Sequence, residues 1–116
     1  MTNYSLSKMF VGNYYLEEIP EKLPFIPEAF LSNCTSIENI IIPDNITNIA
    51  GYAFYGCTSL VNVTVLATTP PTLGYNAFVN NASGRKIYVP AESVNTYKSA
   101  NGWSTYAADI EPIPTT

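Results

Sequence analysis

The residues of this chain that could carry catalytic or metal chemistry are few. There is no histidine among the 116 residues, and the two cysteines are Cys34 and Cys57. Without an imidazole, neither a Ser-His nor a Cys-His pair can be built, and the usual acid–base group near neutral pH is missing. Two thiols are also too few for the ligand set of a structural zinc site. The sequence therefore predicts no metal site, and it has no glycine-rich phosphate loop for a nucleotide cofactor.

Two pairs of carboxylates are the remaining candidates for acid–base chemistry. Glu17 and Glu18 are adjacent in the chain, and Asp109 and Glu111 lie in its last segment. A glycosidase needs two carboxylates that face each other across a cleft. Acids at these positions are usually solvated, so we expect no catalytic residues and no enzymatic activity.

Composition excludes some classes of partner. The net charge is −4, and the five Lys and Arg residues are too dispersed to form the basic stripe that phosphate backbones require. No apolar run approaches the roughly 20 residues of a membrane span. Residues 1–15 lack the basic start and the apolar stretch of a signal peptide. We therefore expect no nucleic-acid partner and no membrane span, and no signal peptide is visible.

The residues around the two cysteines repeat along the chain. Residues 34–42 align without a gap with residues 57–65, and residues 19–26 align with residues 42–49, at a spacing of 23 in both cases. Alanine–phenylalanine pairs recur at a spacing of 24, at Ala29-Phe30, Ala53-Phe54 and Ala77-Phe78. A repeat this short indicates a stack of rungs, each of which packs on its neighbours.

The recurring blocks are specific in type as well as spacing. Cys-Thr-Ser-Leu with alternating valines, Ile-Pro-Asp-Asn-Ile, and Ala-Phe recur together in order, and this set resembles the BspA-type leucine-rich repeat family. The resemblance covers most of residues 10–90 and implies a mainly β repeat solenoid of about four rungs. The first rung is degenerate, visible in residues 10–12 and 16–20. Residues 1–9 are interpreted as an N-terminal arm and residues 91–116 as a C-terminal capping segment with a helical cap.

Each rung is predicted to contain a short strand whose alternate residues face the core. The inward residues are Ile40, Ile42, Val63, Val65, Ile87 and Val89, and Phe30, Phe54 and Phe78 are expected to form a column beside them. The outward residues form two columns, Asn39, Asn62 and Lys86 in one and Ile41, Thr64 and Tyr88 in the other. These six are the candidate partner-binding residues, because exposed apolar and aromatic side chains anchor interfaces. The alternative is that they only stabilise the sheet by packing on one face.

The cysteines should be neighbours on successive rungs. Cys34 and Cys57 occupy equivalent positions, so their alpha carbons should be close enough for a disulfide, but their side chains should point in parallel. This arrangement favours two packed free thiols over a disulfide.

The apolar spacing changes after Pro90 from two to three or four residues. This predicts a helix over residues 91–100, with Val94 and Tyr97 on one face and a stop at Asn101-Gly102. Trp103, Tyr106 and Ile110 continue the apolar stripe. The segment is therefore predicted to cover the last rung, with Trp103 as part of that lid rather than as a ligand platform, and residues 111–114 should run extended.

The resemblance implies a function without chemistry. BspA-like repeats occur on bacterial surfaces, where they attach cells to host proteins or other microbes, so we expect a non-catalytic adhesion module that presents its repeats to a protein or glycan partner on a cell surface. The alternative is a phage virion component, for capsid decoration or for fibre or tail attachment, favoured by the apparent start at Met1, the missing signal and the short length. A homo-oligomer, or docking on another surface or virion chain, is expected at the open first rung.

Overall fold

The computed structural model describes residues 25–114. These residues contain seven strands, in chain order β1 (Phe25–Ile26), β2 (Asn39–Ile42), β3 (Asn48–Ile49), β4 (Asn62–Val65), β5 (Thr72–Leu73), β6 (Lys86–Val89) and β7 (Ile110–Pro112). Three successive repeats each give one strand to a sheet of order β1-β3-β5 and one to a sheet of order β2-β4-β6-β7. All pairs of these strands are parallel.

Parallel sheets with few helices were expected and are confirmed. The solenoid form and the count of about four rungs stay predictions, since the first rung, at residues 10–12 and 16–20, lies outside the described residues. The N-terminal arm, residues 1–9, and the carboxylates of Glu17 and Glu18 also lie outside the described residues.

The pairing of the strands follows the repeat of the sequence. Asn62 of β4 pairs with Asn39 of β2 and with Lys86 of β6. The second interval is one residue longer than the first, and the extra residue lies in a turn: residues 43–47 join β2 to β3, whereas residues 66–71 join β4 to β5. The longer 66–71 connection is where the end of the chain attaches.

The predicted alternation of inward and outward residues is confirmed. Residues 40, 42, 63, 65, 87 and 89 are buried, and all six outward candidates are half-buried. Burial of one such aliphatic side chain stabilises the fold by about 1.5–3 kcal/mol, so the inward columns form the main body of the core.

The predicted phenylalanine column is right for its last two members. The rings of Phe54 and Phe78 stack with centroids 5.3 Å apart and planes 2° from parallel. In the repeat before them the equivalent position belongs to Leu31, whose amide donates to the carbonyl of Ala53 just as the Phe54 amide donates to that of Ala77. The placement of Phe30 in this column was therefore wrong by one position, although Phe30 is fully buried.

The shift has a simple cause. Phe30 lies four positions before Cys34, whereas Phe54 lies three before Cys57. The backbone keeps the cysteine register, because the amides of Cys34 and Cys57 donate to the carbonyls of Leu31 and Phe54, respectively. Either leucine or phenylalanine satisfies a buried position, but each repeat has only one pattern of backbone hydrogen bonds.

The segment after Pro90 packs on the last repeat, where Trp103 and Tyr106 contact the ring of Phe78, and its predicted role as a cap on a stack stays a prediction. A short 3-10 helix, Ala91–Ser93, leads into helix α1, Val94–Ser99, and a second 3-10 helix spans Trp103–Asp109. Within the described residues every helix lies after Pro90. The predicted extended run begins with β7, and its pairing with β6, which places Glu111 beside Tyr88, was not predicted.

Candidate binding surfaces

The six predicted partner-binding residues lie together on the outer side of the four-stranded sheet. We call this surface, formed by Asn39, Ile41, Asn62, Thr64, Lys86 and Tyr88, the sheet face. Its members stand in register across β2, β4 and β6, so they form two straight rows. The structure thus brings all six to one surface, and each side chain is half-buried.

The polar row of the sheet face is internally bonded. The amide of Asn62 donates a hydrogen bond to Oδ1 of Asn39 across 2.8 Å. Farther along, Nζ of Lys86 lies 3.2 Å from Oε2 of Glu111. These two side chains are 38% and 47% exposed, so their ion pair contributes little to stability. The polar row therefore serves the sheet itself.

The second row is different in character. Ile41, Thr64 and Tyr88 run side by side, and Glu111 of β7 ends the row. Sequence reasoning missed Glu111 as a neighbour of this face. The signal was present, since Ile110 follows Ile87 at the same spacing that separates Cys57 from Cys34.

The two carboxylates near the end of the chain do not act as a pair. Asp109 Oδ2 lies 2.8 Å from Nη2 of Arg85, whereas Glu111 pairs with Lys86. Arg85 also donates from Nη1 to the carbonyl of Phe78 across 2.6 Å. Each acid thus has its own basic partner, and Arg85 ties the last repeat to residues 91–114, which we call the closing segment.

Sequence reasoning missed a groove beside the last repeat. It has a volume of about 630 Å³ and lies between residues 70–79 on one side and residues 100–106 on the other. Its rim carries Tyr75, which is 81% exposed. No periodicity relates the two walls, so the repeat pattern gave no signal for it.

The floor of the groove is fixed by the closing segment. Trp103 is fully buried, and its Nε1 donates to the carbonyl of Pro71 across 2.7 Å. Trp103 packs against Phe78 of the last repeat, so its ring is not accessible as a ligand platform.

Two more side chains fasten the closing segment to the 66–71 connection. The hydroxyl of Tyr97 donates to the carbonyl of Ala67 across 2.6 Å, and that of Ser93 donates to the carbonyl of Thr68 across 2.7 Å. Burial raises the pKa of Tyr97 above its ordinary value, so its hydroxyl remains a donor. Side chains of the closing segment thus donate hydrogen bonds to the carbonyls of the longer 66–71 connection.

The two cysteines are buried thiols that form no disulfide, as predicted. Burial raises the pKa of Cys57 to about 12, although a backbone hydrogen bond from Cys34 acts in the opposite direction. A thiol with such a pKa is neutral and unreactive near neutral pH. Within residues 25–114, no group of three or more His, Cys, Asp or Glu side chains is arranged to hold a metal ion.

Comparison with known proteins identifies the repeats. Residues 7–105 match the BspA type leucine rich repeat region, with six copies of the repeat. The chain belongs to this family, as its cysteine, Ile-Pro and Ala-Phe blocks indicated. A comparison with curated proteins gave no match. The repeats indicate a protein-interaction or adhesion-type module, and in the described part of the chain no helix is long and apolar enough to cross a membrane.

Proposed function

We propose that this protein is a non-catalytic attachment module that works on the extracellular face of a cell, where the sheet face binds a protein or glycan partner. The observation that carries the proposal is the row of Ile41, Thr64 and Tyr88. It places an aliphatic, a small and an aromatic side chain in line on one surface, each of them half-buried. Such residues anchor interfaces because they bury much area with little loss of side-chain freedom.

The geometry of the sheet supports this use. Neighbouring strands are about 4.8 Å apart, so the row spans about 14 Å from β2 to β7. The backbone beneath it is fixed by parallel pairing on both sides of β4 and β6. A rigid surface loses little freedom on binding, which favours affinity.

The proposal is tested by charging the row. The double variant Ile41→Lys with Tyr88→Glu removes both apolar anchors and leaves the net charge unchanged. Its matched control is Thr58→Lys with Thr96→Glu, which makes the same charge changes at exposed positions elsewhere. Fluorescently labelled protein is then measured for attachment to bacterial cells, to immobilised host matrix and to phage particles, after melting curves confirm that both variants fold.

We expect the folded sheet-face variant to lose attachment and the control to retain it. Unchanged attachment by the sheet-face variant would contradict the proposal. Attachment to phage particles alone, lost in the same variant, would favour the virion alternative over the cell-surface role.

A further inference from the structure

The groove between the last repeat and the closing segment is not explained by the proposed sheet-face partner. We propose that it is a binding site for a neutral oligosaccharide, with Tyr75 as the platform for one sugar ring. The site is built from β5, the turn after it and the start of the second 3-10 helix, and it shares no residue with the sheet face. The inference therefore holds whether or not the sheet face binds a partner.

The chemistry of the lining points to an uncharged ligand. Among the described residues that line the groove, none is Asp, Glu, Lys or Arg. A charged ligand would leave water without gaining an ion pair, which is unfavourable. A neutral ligand with many hydroxyl groups has no such cost, because hydroxyl, amide and backbone groups can replace its water.

Tyr75 provides the feature that a sugar ring recognises. It is the most exposed of the large apolar side chains in the described residues, at 81%, while its backbone is held because its carbonyl accepts the amide of Tyr52 across 2.8 Å. The face of an aromatic ring is electron-rich and attracts the C–H groups on one side of a pyranose. A side chain so exposed contributes little to folding, so its position on a groove rim is available for binding.

Gly74 brings this platform into place. A Cβ at position 74 would lie 2.4 Å from the backbone nitrogen of Gly51, so no other residue fits without moving the chain. The close contact packs the turn before Tyr75 directly on the preceding repeat. The rim that carries the ring is therefore rigid.

Polar side chains stand around the aromatic platform. Thr72 lies on one wall, and Asn101 and Thr105 lie on the other, all three exposed. Amide groups can donate and accept hydrogen bonds, as can hydroxyl groups, which matches the dual character of sugar hydroxyls. The groove thus offers hydrogen-bonding partners on both sides of the ring.

The walls are also held at a fixed separation. Gly102 has φ +82°, and a Cβ there would lie 3.0 Å from the carbonyl oxygen of Leu73 on the opposite wall. The hydrogen bond from Nε1 of Trp103 to the carbonyl of Pro71 joins the same two walls at the floor of the groove. A preformed groove binds a small ligand without first having to close.

A proline-rich peptide is the competing occupant for an aromatic groove. Such peptides insert prolines between several exposed rings. Here Trp103 is fully buried and Tyr106 is 9% exposed, which leaves Tyr75 as the accessible ring of the described lining. One platform flanked by hydroxyl and amide groups suits a sugar better than a peptide.

The test uses saturation-transfer NMR on the full chain. The probes are cellotriose, maltotriose and chitotriose at about 5 mM, a concentration that detects weak sites, with sialyllactose as the charged comparison and a polyproline peptide as the competing class. We expect transfer to the ring C–H protons of at least one neutral trisaccharide, and neither sialyllactose nor the peptide to bind at Tyr75.

Variants then locate the binding. Tyr75→Ala should weaken the sugar by about tenfold and Tyr75→Phe should change it by less than about threefold, because the ring face and not the hydroxyl makes the contact. Asn101→Ala should weaken it as well. Phe25→Ala removes an exposed ring that is outside the groove and should leave sugar binding unchanged. Melting curves check that each variant folds.

Absence of transfer to every neutral sugar would overturn the inference, as would binding that survives Tyr75→Ala or a preference for the polyproline peptide. The sheet-face variant separates the two proposals. If it loses attachment to cells but keeps the sugar, both surfaces act independently. If it loses neither, the sheet-face proposal fails while the groove stands.

Discussion

The thiol of Cys57 donates a hydrogen bond to the carbonyl of Leu31 in the preceding repeat, across 3.0 Å. The same contact recurs one repeat later, where the amide of Asn81 donates to the carbonyl of Phe54 across 2.8 Å. One position in each of these two repeats therefore supplies a donor that ties its rung to the rung before it. The cysteines are part of the packing and not a redox pair.

This role predicts how the thiols respond to reagents. Cys34 and Cys57 should react with a maleimide only after the protein unfolds, and reductant should not change the melting temperature, because both thiols are buried and form no disulfide. Mass spectrometry before and after denaturation measures this. A native mass two hydrogens lower than calculated would show a disulfide and contradict the assignment.

The raised pKa of Cys57 also makes the stability of the folded protein depend on pH. The pKa of the folded thiol is about 12, whereas its ordinary value is 9.0. Above pH 9.0 the thiol therefore loses its proton in the unfolded chain before it does so in the folded protein. The contribution to stability is complete below pH 9.0 and is lost as the pH rises towards about 12. Denaturant melts should show a smaller alkaline loss for Cys57→Ala than for the parent chain.

The core can be tested by one pair of truncations. Phe54→Ala should lower the free energy of unfolding by about 3–5 kcal/mol, because it empties a buried site between stacked rungs. Thr64→Ala should change it by less than about 0.5 kcal/mol, because it trims a half-exposed side chain. Equal losses in denaturant melts would mean that the assignment of inward and outward faces is wrong.

One turn position carries strain that can be removed. Ala29, with φ +55°, adopts the left-handed conformation that Tyr52 and Asn76 adopt in the next repeats. Ala29→Gly should stabilise the protein by about 1 kcal/mol, because glycine has no Cβ to clash there. The control is Ala53→Gly, a buried alanine outside the positive-φ positions, which should destabilise. Loss of stability in both variants would contradict the claim that the backbone at Ala29 is strained.

The outer edge of β7 is closed to further strands. The backbone nitrogens that face away from β6 belong to Ile110, Pro112 and Pro114. The amide of Ile113 faces β6 and donates to the carbonyl of Val89. The Ile110 amide donates to Ala107, and proline has no amide hydrogen. Over residues 110–114 this edge therefore offers no donor to a second copy.

Restoring those donors should permit association through the edge. We expect Pro112→Val with Pro114→Thr to form dimers or larger species in sedimentation experiments at concentrations where the parent chain does not. A variant that sediments like the parent would show that the prolines do not protect this edge.

Much of the repeat architecture could be predicted because its signals are local. Alternation in Ile40 and Ile42 identifies the buried side of a strand, and the spacing of Val94 and Tyr97 identifies a short helix. The position of Leu31 was missed because the spacing of the Ala-Phe pairs exceeds that of the cysteines by one, and the backbone follows the cysteines. Both leucine and phenylalanine satisfy the core, so composition alone could not choose between them.

The remaining features depend on contacts between distant segments. β7 is only three residues long and ends in Pro112, so its composition favours a loop although it pairs with β6. The groove forms where Tyr75 meets residues 100–106, and no repeat of the sequence relates these segments. The sheet face was predictable as a surface, but the bonding of its polar row depends on side-chain positions.

The central claim, that the sheet face contacts the partner, is tested most directly by a photo-cross-linking residue. A benzoylphenylalanine replaces Thr64 in the middle of the face in one variant and the exposed Thr58 in the matched control. Each labelled protein is bound to the cells or particles to which the parent attaches, and then irradiated. Binding through the sheet face predicts a discrete adduct from position 64 and none from position 58, whereas an adduct from position 58 with none from position 64 would contradict it.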